Sequence, residues 1–196
     1  MIREDYFATP VYQFDLKSDN QPLIDWAYKV NEQPLNSNGG KQSFNTADKK
    51  NDASMQHTFP LPFQYLQNQI QDYINEVSND LNFPKCELQN YWLNVNPYGG
   101  SNDVHNHPNS LLVANYYINA TTDDMGDIVI HRQDDSQYYT SAIPNKTNIT
   151  QRSIHIKPYT GLLVVFPGWV KHSVTTNLNE ENDRISLSMN YGRIRL

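Results

Sequence analysis

The chain has 196 residues and a formal net charge of -6, with its basic residues scattered rather than clustered. That length suits one domain, residues 1–196, and the weakly acidic balance argues against a nucleic-acid binder, which needs a basic footprint. Hydrophobic residues make up only 38%, so the 13 Tyr, 7 Phe and 3 Trp must supply much of any core. Cys86 is the sole cysteine, which rules out an intramolecular disulfide and a thiolate zinc site and fits a reducing compartment. No apolar run approaches the roughly 18 residues of a membrane span, and the N-terminal "MIREDYFATPVYQFDL" lacks a signal-peptide core. The expectation is a cytoplasmic protein without a membrane partner, in which the glycosylation sequons at Asn119, Asn145 and Asn148 are chance matches in an Asn-rich chain.

Taken in chain order, "PVYQFDL" (10–16) reads as a short strand, and "QPLIDWAYKVNEQ" places Leu23, Trp26 and Val30 at helical spacing behind Pro22. Residues 36–54 are polar and lack a period, so they read as a long loop in which Gly39 and Gly40 shape a turn or a lid. The clearest helix follows over 61–81, where Phe63, Leu66, Ile70, Ile74, Val77 and Leu81 form one apolar stripe between Pro62 and Pro84. Beyond it the signals are strands: "CELQNYWLNVNPYGG", "LLVANYYIN", "DIVIH", "RSIHIKP", "GLLVVFP", "KHSVTTN" and "RISLSMNYGRIRL". Helices early and strands later imply an α+β fold, mainly β, in which a rolled antiparallel sheet is braced by N-terminal helices.

Of the six histidines, His57 and His155 sit in no pattern and read as surface or hydrogen-bonded residues, and His131 has no assigned role. His105 and His107 differ. On a strand, residues two apart face the same way, so the two imidazoles of "HNH" could meet one metal ion. A third ligand is needed, and His172 in "FPGWVKH" could supply it. Trp169 and Phe166 beside it read as packing residues, while Tyr116 and Tyr117 face opposite ways, so that only one can line a cavity. In "RISLSMN", Arg184, Ser186, Ser188 and Asn190 share a polar face opposite Ile185, Leu187 and Met189. A guanidinium heading that face needs an anionic partner. That partner is either one of the 21 acidic residues or a carboxylate ligand held by two parallel hydrogen bonds.

The order of these segments resembles the 2-oxoglutarate and iron(II)-dependent oxygenases, and within them prolyl-hydroxylase-like members. The family pattern runs H-x-D, a Tyr-rich strand ending in Asn, Gly before an apolar strand, P-x-x-G, an apolar strand ending in Phe, a distal His and Arg-x-Ser. Here it falls on His105 to His107, Tyr116 to Asn119, Gly126 to Ile130, Pro158 to Gly161, Leu162 to Phe166, His172, and Arg184 to Ser186. "SNGGKQS" and "HNHPNS" are also similar to signatures of an uncharacterised branch common in marine bacteria and their phages, for which the compartment would be the host cytoplasm. The resemblance spans residues 85–195 and is looser before them. It implies a double-stranded β-helix (jelly roll, cupin-like) over about 85–196, with the strand and helices of about 1–84 bracing it.

The resemblance also implies Fe(II) at His105, His107 and His172, and 2-oxoglutarate as co-substrate with its distal carboxylate on Arg184, supported by Tyr117 and Ser186. Molecular oxygen would then hydroxylate a small molecule or protein side chain, with release of succinate and CO2. One departure matters, because His107 stands where the family places a carboxylate ligand. Three readings follow from it: His107 is the third ligand, Asp103 one strand step before His105 replaces it, or water completes a two-His site. Two other functions compete with the hydroxylase. One is a cupin-like binding protein without turnover, and the other a three-His dioxygenase that uses no 2-oxo acid.

Overall fold

The computed structural model describes residues 2, 7–30, 33–34, 41–42, 59–135, 138 and 147–193. His57, Gly39, Gly40, the sequon at Asn145 and most of the expected loop at 36–54 lie outside them. Two α-helices lie before the long strands: α1 (Gln21–Val30) and α2 (Gln64–Asp80), the latter led in by a 3-10 turn at Leu61–Phe63 where Pro62 supplies a preset φ. Eleven strands are described: β1 (Tyr12–Asp15), β2 (Gln33–Pro34), β3 (Lys41–Gln42), β4 (Cys86–Asn96), β5 (Asn102–His105), β6 (Leu112–Asn119), β7 (Ile128–His131), β8 (Ser153–Ile156), β9 (Leu162–Pro167), β10 (His172–Val174) and β11 (Arg184–Arg193). Two depart from expectation: Lys41 and Gln42, read as loop, pair with Val95 and Asn94 at the edge of β4, and Gln33, read at the end of the first helix, pairs with Gln42, as Pro34 beside it does with Lys41. A two-residue strand is too short to carry a period-2 signal.

The strands form a seven-stranded sheet in the order β1-β9-β6-β11-β4-β3-β2 and a four-stranded sheet in the order β5-β10-β7-β8. Every pairing is antiparallel. Period-2 alternation divides each central strand between two cores. On β6, Leu112, Ala114, Tyr116 and Ile118 join the outer core beneath the helices, and Val113 and Tyr117 join the inner core between the sheets. On β9, Leu163 and Val165 point outward, and Leu162, Val164 and Phe166 inward. With both faces covered, β6 and β9 are apolar almost throughout, which is why their sequences show no polar alternation.

The helices cover the outer face of the large sheet through the stripe their periodicity gives. Leu66, Ile70, Ile74 and Val77 of α2 and Leu23 and Ala27 of α1 are all buried there. Trp26 stacks on Phe63 at 4.8 Å between ring centroids, joining α1 to the start of α2. The inner face of the large sheet changes character along β11. Ile185, Leu187, Met189 and Tyr191 enter the outer core, so Arg184, Ser186, Ser188 and Asn190 face the small sheet. This polar strip is the floor of a cleft. No helix among the described residues is long and apolar enough to cross a membrane.

Candidate active site

The cleft between the sheets is lined by His105, His107, His172, Arg184, Tyr117 and Ser186, with residues of β4 and β6, and holds about 430 Å3 of empty space, part of it open to solvent. His105 and His172 are brought together by register. They are direct partners across β5 and β10, so their side chains share a face, and their rings stand 4.3 Å apart. His107 arrives by another route than the strand period. The strand ends at His105, and Pro108 opens a turn closed by Ser110 N–H donating to His107 O at 3.3 Å, with Asn109 at φ 70. The His107 backbone N–H donates to Gly168 O at 2.9 Å. Gly168 permits this approach, because a Cβ there would lie 2.1 Å from Ser110 O. The ligand atoms of the three histidines all lie within 4.8 Å of one another.

Each ring is held by its Nδ1. The acceptor is Asp103 O at 2.7 Å for His105, Asn190 Oδ1 at 2.6 Å for His107, and Val170 O at 2.9 Å for His172. Carbonyl oxygens only accept, so each Nδ1 carries a proton, and in the neutral ring the lone pair is on Nε2. Asn190 is itself oriented, since its Nδ2 donates to Asn90 Oδ1 at 2.9 Å. Trp92 stacks on the His107 ring at 5.6 Å and 18°, and Phe166 lies 4.7 Å from the His172 ring. Burial pushes His107 down to about 4 and His172 down to about 3, so both are neutral near pH 7. The His107 Nε2 is buried without a hydrogen-bond partner among the described residues.

Arg184 opens β11 and is 1% exposed. Its Nη1 donates to Met125 O and to Thr175 O, while its Nη2 has no hydrogen-bond partner among the described residues. No carboxylate among the described residues lies within ion-pair distance of it. Burial pulls its pKa down, and Tyr117 and Asp127 oppose that shift. Gly126, at φ 85, makes room for it, because a Cβ there would sit 2.5 Å from Nη1 and 2.4 Å from Thr175 O. Tyr117 is 2% exposed and its hydroxyl is pushed up to about 12, chiefly by burial, so it stays a neutral donor. Ser186 accepts from Asn94 Nδ2 at 3.3 Å.

The remaining sequence candidates fall elsewhere. Asp103 is exposed, contributes its backbone oxygen to His105, and is not part of the three-His group. His131 Nε2 pairs with Ser173 Oγ at 2.8 Å, and the exposed His155 pairs with Asp127 at 3.2 Å. Trp169 is half exposed, with an edge contact to Phe83, while Tyr116 leaves the cleft to donate to Asn20 Oδ1 at 2.8 Å in the outer core. Sequence reasoning missed Asn90, Trp92, Asn94 and Asn96 on β4 and the role of Asn190. The alternation that sorted "RISLSMN" into faces also sorts "NYWLNVN", so the signal was present.

A family profile described as "Putative 2OG-Fe(II) oxygenase" matches residues 90–190, just over half of the chain. A search of curated proteins gives no match. Among solved structures, the chain resembles a prolyl-4-hydroxylase from Pseudomonas putida, with a TM-score of 0.63 at 14% identity over 95% of this chain and 94% of that one. It also resembles the viral collagen prolyl hydroxylase of Paramecium bursaria Chlorella virus-1 in complex with 2-oxoglutarate, with a TM-score of 0.60 at 14% identity over 94% and 96%. A third is HygX from Streptomyces hygroscopicus with nickel and 2-oxoglutarate bound, with a TM-score of 0.61 at 9% identity over 94% and 83%. At those identities the TM-scores speak for a shared double-stranded β-helix fold alone, and the profile speaks for the family. The chain belongs to the 2-oxoglutarate and Fe(II)-dependent oxygenases.

Proposed function

We propose that the chain is a hydroxylase that holds Fe(II) on the Nε2 atoms of His105, His107 and His172 and 2-oxoglutarate with its distal carboxylate on Arg184. The donor set fits a divalent first-row ion: three imidazoles with their Nδ1 atoms tied back, one of them with a buried Nε2 lacking a hydrogen-bond partner among the described residues. When bound, the iron with 2-oxoglutarate and oxygen supplies oxidative decarboxylation to succinate and CO2, coupled to hydroxylation of a C–H bond on a small molecule or protein side chain.

The chain's own contribution is positioning. Asn190 and Trp92 fix the His107 ring, Phe166 walls off His172, and Tyr117 and Ser186 stand beside Arg184 in the same cleft. With no carboxylate ligand, the metal end carries one more unit of positive charge than a two-His-one-carboxylate face and attracts the keto-acid end of the co-substrate more strongly. A reducing cytoplasmic setting suits both a ferrous ion and the buried Cys86 thiol. We read residues 1–196 as a single oxygenase domain.

The observation that carries this reading is Arg184: a buried cation whose Nη2 has no hydrogen-bond partner and which has no carboxylate within ion-pair distance among the described residues, Asp127 acting on it only from further away, with three ligand-ready imidazoles in the same cleft. A buried guanidinium without a close carboxylate is costly, and an anion in the cleft would complete it. Anaerobic titration with Fe(II) and then 2-oxoglutarate should develop the visible charge-transfer band of a chelated 2-oxo acid. Replacing Arg184 with Leu should raise the 2-oxoglutarate needed by about 2–5 kcal/mol of binding free energy and barely change iron affinity. Unchanged co-substrate affinity in that variant would overturn the clamp. Iron binding without a band for any 2-oxo acid would favour a three-His enzyme of another kind or a binding protein.

A further inference from the structure

Asn96 is the last residue of β4 and the direct partner of Arg184 across the β4–β11 ladder, so the two side chains leave the sheet on the same face. Both line the cleft and both are 1% exposed. The Asn96 backbone oxygen is taken by Asn177 Nδ2 at 2.9 Å, but its side-chain Nδ2 has no hydrogen-bond partner among the described residues, like Nη2 of Arg184. Two unpartnered buried donors side by side, one charged and one neutral, are rarely left in a folded chain without an acceptor to meet them.

β4 also measures the cleft. Trp92, stacked on His107, marks the metal end, and Asn96 lies four residues further along the same face, roughly 13 Å at about 3.3 Å per residue. The orphaned pair therefore stands at the end of the cleft away from the imidazoles.

Resting on the reading of the site given above, we infer that Asn96 is a second donor to the distal carboxylate of the 2-oxo acid. Nη2 of Arg184 and Nδ2 of Asn96 each take one carboxylate oxygen. Arg184 supplies the charge, and Asn96 fixes the orientation of the carboxylate and so favours a 2-oxo diacid over a 2-oxo monoacid. Asn96 is a binding residue, and its effect is confined to ligands that carry the distal group.

The test is anaerobic titration of the Fe(II)-loaded chain with 2-oxoglutarate and, separately, with 2-oxobutyrate, which shares the keto-acid end and lacks the distal carboxylate. Both are followed by the charge-transfer band for the wild type, Asn96→Leu and Asn96→Asp. Asn96→Leu should bind 2-oxoglutarate about 10- to 100-fold more weakly, the range for a hydrogen bond to a charged group, and 2-oxobutyrate within twofold of wild type. Asn96→Asp, nearly the same shape, should lose at least as much for 2-oxoglutarate, because it sets carboxylate against carboxylate, and its unchanged melting temperature would show that it folds. Equal losses for both acids would make Asn96 a structural residue, and no loss in either variant would leave the carboxylate to Arg184 alone. Each of those results overturns the inference and spares the function proposed. A wild type that shows no band with 2-oxoglutarate overturns both.

Discussion

At the scale of single residues, the proposed metal centre turns on His107. Its Nδ1 is tied to Asn190 and its Nε2 is a buried lone pair with no partner among the described residues, which costs stability unless a ligand completes it. His107→Ala should therefore lose Fe(II) at neutral pH, while His107→Asp should retain it by restoring a carboxylate to the set. Iron content after gel filtration checks both, and retention by His107→Ala would mean that the ion does not use this ring. Acid provides a second check. Burial lowers His107 to about 4 and His172 to about 3 in the folded chain, against an ordinary value of 6.5. Below pH 6.5 the unfolded chain takes up protons that the folded chain refuses, so metal-free stability should fall as pH drops from 6.5 towards 4 for His107 and towards 3 for His172. His107→Gln removes one of those groups and should flatten the dependence of melting temperature on pH. The wild-type slope persisting in that variant would show that His107 is not a source of it.

At the scale of elements, the site is built where strands end. Arg184 opens β11, Asn96 closes β4, His105 closes β5 and His172 opens β10, so the backbone around the cleft is held by ladders on one side and turns on the other. Gly126 is a turn position with little latitude, because φ 85 and the Arg184 guanidinium both exclude a side chain there. Gly126→Ala should cost about 1–2 kcal/mol from backbone conformation alone, and displace Arg184 as well. The expected outcome is weaker 2-oxoglutarate binding with Fe(II) binding retained, since the three imidazoles lie on other segments; loss of iron alone would contradict it. Much of this was legible in the chain. Alternation in "RISLSMN" placed Arg184, Ser186 and Ser188 on the cleft face, and the i, i+3, i+4 stripe of α2 gave the covered outer face. What alternation could not show is how His107 reaches the cleft after its strand has ended, since that depends on Pro108, a positive φ at Asn109 and a glycine far along the chain. Nor could it show which amide faces which, because the orientation of Asn190 is set by Asn90 on a neighbouring strand.

At the scale of the whole molecule, the large sheet separates stability from chemistry. Its outer face, with α1 and α2, carries an apolar core, while its inner face carries both an apolar core and the polar cleft, and few side chains belong to both sides. Ile70 is fully buried on the helix side. Ile70→Ala should lower unfolding free energy by about 2–5 kcal/mol, as large-to-small changes in cores do, and leave the affinities for Fe(II) and 2-oxoglutarate of the folded chain within twofold. The ligands act on the same equilibrium from the other face. A ligand that binds only the folded chain stabilises it by about 2.7 kcal/mol at one hundred times its dissociation constant. Adding Fe(II) and 2-oxoglutarate under anaerobic conditions should therefore return much of the melting temperature that Ile70→Ala removes. In Arg184→Leu the same additions should give the shift due to iron and little of that due to 2-oxoglutarate, because the buried charge proposed to answer the distal carboxylate is gone. Denaturation scans of the wild type and both variants, each with and without the two ligands, measure this directly. If 2-oxoglutarate shifts the wild type and Arg184→Leu equally, the guanidinium serves the fold alone, and its free Nη2 requires another acceptor.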